Sequence, residues 1–162
     1  MIGRTKTFSG ARFFLLFVPV AFATYAWHEA GHWIVGECLG NAMTYSLNNA
    51  SPQSGHYLHA SHALWVSLGG PAFSIVQAVF ALVLIARLGS PYAYPLAYFA
   101  AFTRAFALVL GGFAAQDEAR ISALTGGWPY AAALLVLGAL VAVTVWCSRR
   151  LSYVPSGTVT SS

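Results

Sequence analysis

Residues 11–38 read ARFFLLFVPVAFATYAWHEAGHWIVGEC, and no charged side chain interrupts the stretch from Phe13 to Trp27. An apolar run of this length is what a helix needs to cross a bilayer. It then carries His28, Glu29 and His32 at a depth where ionisable groups are costly. Three further runs resemble it, over Ala63–Ala86, Tyr94–Ala115 and Trp128–Cys147, the last with Trp128 and Trp146 near its two ends, as interfacial aromatic anchors often are. Breaks at Gly89-Ser90-Pro91 and Thr125-Gly126-Gly127 separate the later runs. The sequence therefore predicts an all-α polytopic membrane protein of four transmembrane helices in one domain, residues 1–154. The Ser/Thr/Gly-rich residues 155–162 are expected to form a disordered tail.

Composition points the same way. The chain of 162 residues is 58% hydrophobic and only 7% charged, where a soluble domain carries about 25% charged residues. Four acids and eight basic residues cannot coat a soluble globule of this size, which excludes most soluble enzymes. No basic cluster exceeds Arg149-Arg150, so nucleic acid is not an expected partner; membrane lipid is. Cys38 and Cys147 are too few for a disulfide framework and lack zinc-finger spacing.

Arg4, Lys6 and Arg12 precede the first span, Arg87 ends the second, and Arg149 with Arg150 follows the fourth. The connection from Leu39 to Ser61 has no Lys or Arg, and the one after the third span has only Arg120. The positive-inside rule then puts both termini in the cytoplasm. The basic start, Phe13–Val20 and Ala21-Phe22-Ala23 also resemble a cleavable signal peptide. Apolar character resumes through Trp33, Ile34 and Val35, which favours an uncleaved span.

Inside the first span, His28-Glu29-Ala30-Gly31-His32 is an H-E-x-x-H pattern. Residues four apart on a helix are rotated by about 40°, so the two imidazoles share a face. That arrangement suits two metal ligands with a neighbouring general base. The plainer alternative is a helix end with two interfacial histidines and a solvated Glu29. A catalytic zinc normally takes a third protein ligand. Of the remaining acids, Glu37 is rotated about 140° from His32 and points elsewhere. Asp117 and Glu118 remain, in the same leaflet as the histidines. Their own alternative is a solvated helix end with an Asp117–Arg120 ion pair.

The H-E-x-G-H form in a first span, Gly69-Gly70-Pro71 opening a second and Asp117 after a third resemble the site-2 protease family of intramembrane zinc metalloproteases. The likeness covers roughly residues 11–121, a three-helix catalytic core, and leaves the fourth span outside. It implies His28, His32 and Asp117 as ligands to Zn2+ and Glu29 as the catalytic base. The implied activity is hydrolysis of a peptide bond in or near a single-span transmembrane partner, as in regulated intramembrane proteolysis. Two departures stand out. Glu118 follows Asp117 where the family often has Asp-Gly, which keeps both carboxylates open as the third ligand. Ser74 stands where the family often has an Asn that helps hold substrate backbone. The resemblance thus implies Gly69, Gly70, Pro71 and Ser74 as substrate-binding residues, with Gln77 an alternative to Ser74. No regulatory domain fits, so the chain resembles a minimal form.

The sequence leaves other readings open. Gly69-Gly70-Pro71 reads as a break in the second span, either a gap for extended substrate or close helix packing. His56, His59 and His62 could form a second metal site or stay unliganded. The Leu39–Ser61 connection could dip into the membrane beside the site. Arg104, near the middle of the third span, has no partner that the sequence can name. The alternative function is a non-proteolytic protein of the same fold that binds a membrane partner or handles metal.

Overall fold

The computed structural model describes residues 10–88, 93–110 and 112–152. The expected break at Gly89-Ser90-Pro91, the basic residues Arg4 and Lys6, and the tail 155–162 lie outside the described residues. So do the side chains of Arg12 and Arg150.

Helix α1 runs Gly10–Cys38 and α2 runs His62–Leu88, with a two-stranded hairpin between them, β1 Met43–Ser46 and β2 Asn49–Pro52. Helix α3 is Tyr94–Leu110, a 3-10 turn covers Phe113–Ala115, α4 is Asp117–Thr125 and α5 is Ala131–Ser152. The segments α2 His62–Arg87 and α5 Ala131–Arg149 are each long and apolar enough to cross a membrane. The apolar part of α3, Tyr94–Val109, is shorter.

Three sequence expectations need correction. The fold is mostly helical but not all-α, because the connection after α1 forms an antiparallel hairpin pairing Met43 with Pro52 and Ser46 with Asn49. That segment has no helical apolar period, and its fastenings are side chains of α1 and the connection itself. Glu37 Oε1 accepts from the Met43 amide at 2.8 Å, Tyr45 donates its hydroxyl to the Ala26 carbonyl at 2.8 Å, and Met43 is buried against Gly36. Asn41 ties the far side, donating to the Gly36 carbonyl and accepting from the Leu58 amide.

The second correction concerns the third span. The helix stops at Leu110 rather than Ala115, and Gly112 takes φ 77°, a left-handed conformation that favours glycine. The last carbonyls of a helix lack donors of their own. Gln116 supplies some, donating from Nε2 to the carbonyls of Ala107 and Gly112. The chain thereby folds back into the short helix α4, which ends at Gly126 in the left-handed conformation.

Third, α2 is continuous through Gly69-Gly70-Pro71 instead of broken there. The glycines serve the crossing of α1 and α2. A Cβ on Gly31 would strike the Gly69 carbonyl and the Phe73 ring, and a Cβ on Gly69 would strike the Gly31 carbonyl. Small residues dominate the rest of the interior too. Ala81, Ala97 and Cys147 form one buried cluster with Ile85 and Tyr94, and Ala78, Ala100 and Leu140 form another. Small side chains let α2, α3 and α5 approach closely. The outer faces keep large apolar residues exposed, including Leu15, Phe22, Phe80, Phe102, Val109 and Leu135.

Candidate metal centre

Helical spacing puts His28 and His32 on one face of α1, and the Gly31–Gly69 crossing presses that face against α2. Gly70 leaves the room they occupy, since a Cβ there would meet Nε2 of both imidazoles. Both histidines are buried. The fold-back through Gly112 delivers Asp117, the first residue of α4, to the same point.

The spacing of three atoms defines the centre. His28 Nε2 and His32 Nε2 are 3.2 Å apart, and Asp117 Oδ2 is 3.0 Å from the first and 3.3 Å from the second. The opposite ring nitrogens fix what these atoms are. His32 Nδ1 lies 2.6 Å from the Val66 carbonyl, which can only accept, so Nδ1 carries the proton. The Gly70 amide, 3.3 Å from the same Nδ1, is the longer contact and also the helix's own donor toward Val66. His28 Nδ1 is 2.9 Å from Ser74 Oγ, whose hydroxyl donates onward to the Gly70 carbonyl, so Nδ1 donates here as well. In this tautomer both Nε2 atoms present lone pairs. Two imidazole lone pairs and a carboxylate thus converge on one point.

That donor set fits a metal. Histidines that bind metal almost always donate their other N–H to a carbonyl, carboxylate or water, fixing tautomer and ring orientation. Zinc bonds of about 2.0 Å in a tetrahedral set separate the ligand atoms by about 3.3 Å, close to the three distances here. Among the described residues, His28, Glu29 and His32 form a group able to hold a metal ion.

These residues line a polar cleft of about 300 Å³. Glu29 is half-buried at its wall, with the backbone of Ala50 beside its carboxylate. Asn48, Asn49 and Ala50 bring the hairpin to the cleft, while Tyr57 and Gln116 line it from the connections and Arg120 from α4.

The sequence left Asp117 and Glu118 as alternatives, and the geometry separates them. Glu118 is 1% exposed and turned to Arg104, which donates from Nε to Oε1 at 3.0 Å and from Nη2 to Oε2 at 2.6 Å. Arg104 therefore has a partner, and its Nη1 also reaches His28 Nε2 at 3.1 Å. Only the fold-back at Gly112 makes this pairing possible, so a straight third span hides it. The alternative Asp117–Arg120 pair does not form: Arg120 lies over the Tyr57 ring, 5.5 Å from its centroid.

The residues named for substrate sit elsewhere. Gly69 and Gly70 fill the α1–α2 seam, Ser74 backs His28, and neither these nor Pro71 line the cleft. Gln77 is buried, donating to Thr24 Oγ1 and the Leu96 carbonyl. His56, His59 and His62 do not line the cleft either; His62 contacts Asn41 and stacks edge-on with His59. Glu37 serves the hairpin. Sequence reading missed the Val66 carbonyl and the hairpin residues, because backbone acceptors and strand placement leave no residue-type signature.

No family model, curated protein or solved structure matches the chain.

Proposed function

We propose that the chain is a multi-pass membrane protein with a zinc-dependent peptidase centre, similar in plan to the site-2 protease family. The observation that carries this reading is the convergence of His28 Nε2, His32 Nε2 and Asp117 Oδ2 within 3.3 Å, with both histidines' Nδ1 atoms committed to other partners. The placement of Glu29 in the same cleft extends it from metal binding to hydrolysis.

Membrane residence is supported by the two spanning-length helices and by the large apolar side chains exposed on α1, α2, α3 and α5. Such side chains belong against acyl chains, and a soluble protein seldom exposes them so widely. The proposal places four of the five helices across the bilayer, with both termini cytoplasmic and α4 at the outer rim. The centre then lies below the outer surface, reached by water through the polar cleft.

His28, His32 and Asp117 would hold the ion. A zinc ion there supplies Lewis-acid polarisation of a carbonyl and lowers the pKa of water toward about 7. Glu29 takes the proton from the attacking water and hands it to the leaving amine, which requires a carboxylate free to face the cleft. The substrate is a transmembrane helix of a partner protein. Its amides are locked in internal hydrogen bonds, so it must unwind locally, and helix-breaking residues near the cut favour that.

The test begins with metal content per chain in detergent-purified protein. About one zinc in the wild type, lost in both His32→Ala and Asp117→Ala, supports the centre. Zinc retained in both variants overturns it. Cleavage of a single-span reporter by the wild type but not by Glu29→Gln then supports the peptidase assignment, whereas zinc binding without cleavage favours a metal-handling membrane protein.

A further inference from the structure

Arg104 and Glu118 are both almost fully buried, at 6% and 1% exposure. A buried ion pair contributes little to stability compared with apolar side chains of the same size. Its geometry here serves the neighbouring carboxylate. Glu118 follows Asp117 in the first turn of α4, and consecutive helical residues point about 100° apart. Fixing Glu118 inward on α3 therefore fixes the direction of Asp117. The guanidinium fork engages both Glu118 oxygens, at 3.0 and 2.6 Å, and Nη2 also lies 3.5 Å from Asp117 Oδ2. The short α4 follows α3 through the Gly112 turn and packs against α2 and α5, and Arg104 reaches its first turn from α3 beside the centre.

We propose that Arg104, locked bidentately on Glu118, is a positioning residue that aims Asp117 at His28 and His32. It rests on the metal reading above and adds a role for two buried residues that are not themselves ligands. The planar fork is essential, because a single ammonium cannot hold both carboxylate oxygens in one orientation.

The experiment is a zinc titration of the detergent-solubilised full chain against a competing chelator, with melting temperature of the same samples. Arg104→Lys and Glu118→Gln each weaken zinc binding by about 10–100-fold, the range for partners that orient metal ligands. The double variant Arg104→Gln/Glu118→Gln binds no more weakly than the weaker single variant, because the two act as one unit. It also avoids leaving one buried charge alone, so it keeps the test open if Glu118→Gln fails to fold. A purely structural pair would move the melting temperature and leave zinc affinity unchanged. Wild-type affinity in a folded Arg104→Lys and in the folded double variant overturns the proposal. Failure of the metal reading looks different: either the wild type binds no zinc, or His32→Ala and Asp117→Ala keep it, and the positioning role falls with it.

Discussion

His32 donates its Nδ1 proton to the Val66 carbonyl across 2.6 Å, a bond from α1 to the backbone of α2. It fixes the imidazole tautomer without spending a side chain on the task. The equivalent role at His28 falls to a side chain, Ser74 Oγ, at 2.9 Å. That asymmetry makes one of the two imidazole supports accessible to mutation.

Ser74→Ala removes the acceptor for His28 Nδ1–H and leaves a buried donor unmatched, at a cost of about 1–3 kcal/mol. Zinc affinity falls by about 10–100-fold, while helix content is retained. Chelator competition measures the first and circular dichroism the second. Ser74→Thr, which keeps the hydroxyl, retains tighter binding than Ser74→Ala. Equal affinity in wild type and Ser74→Ala would sink the assigned tautomer.

Gly70→Ala forces a methyl group against Nε2 of both His28 and His32. The imidazoles must swing away, so metal content falls to near zero. Gly138→Ala, in α5, meets nothing within 4 Å and serves as the control. It keeps full metal content and gains up to about 1 kcal/mol from helix propensity. Metal analysis and melting temperature of the two variants, side by side, read the contrast.

Glu29→Gln is expected to keep its zinc and lose cleavage by about 10²–10⁴-fold, the usual contribution of a positioned proton acceptor. Loss of zinc together with activity would instead make Glu29 a structural or ligating residue. The same preparation assayed for metal and for reporter cleavage decides between them.

How much of this was legible in the sequence follows from the range of each interaction. His28, Glu29 and His32 are visible because helical periodicity relates residues four apart, and α1 has the bounds that its apolar run predicts to within one residue. Asp117 was reachable because so few acids exist. Its separation from Glu118 was not, since it depends on which carboxylate the Gly112 turn points at Arg104. A single glycine of positive φ, Gly112, decides that, and it lies inside an apolar run that the sequence reads as unbroken from Tyr94 to Ala115. The hairpin was hidden for a related reason. Met43–Ser46 and Asn49–Pro52 lack a strong alternating pattern, and their fastenings to Glu37 and Ala26 lie on another element. Gly69 and Gly70 stand out in the sequence, but whether a glycine yields to substrate or to a neighbouring helix depends on what stands opposite. Here it is Gly31 and two imidazoles.

The proposed orientation has a direct consequence for the two cysteines. Cys38 ends α1 and is exposed, whereas Cys147 is fully buried beside Ala81 and Tyr94. Helix α1 rises about 1.5 Å per residue, so its 29 residues are long enough to carry Cys38 past the opposite face from Gly10. With both termini cytoplasmic, a membrane-impermeant maleimide added to intact cells labels Cys38, and Cys38→Ser abolishes the signal. Cys147, near the cytoplasmic end of α5, is shielded by sidedness in intact cells and by burial as well, so it stays unlabelled after permeabilisation until the protein is unfolded. Labelling of Cys38 only after permeabilisation would reverse the orientation. The metal centre survives that outcome, because His28, His32 and Asp117 meet whichever way the bundle is inserted. The experiment therefore tests the face to which the cleft opens, and with it the side on which a cleaved partner would be released.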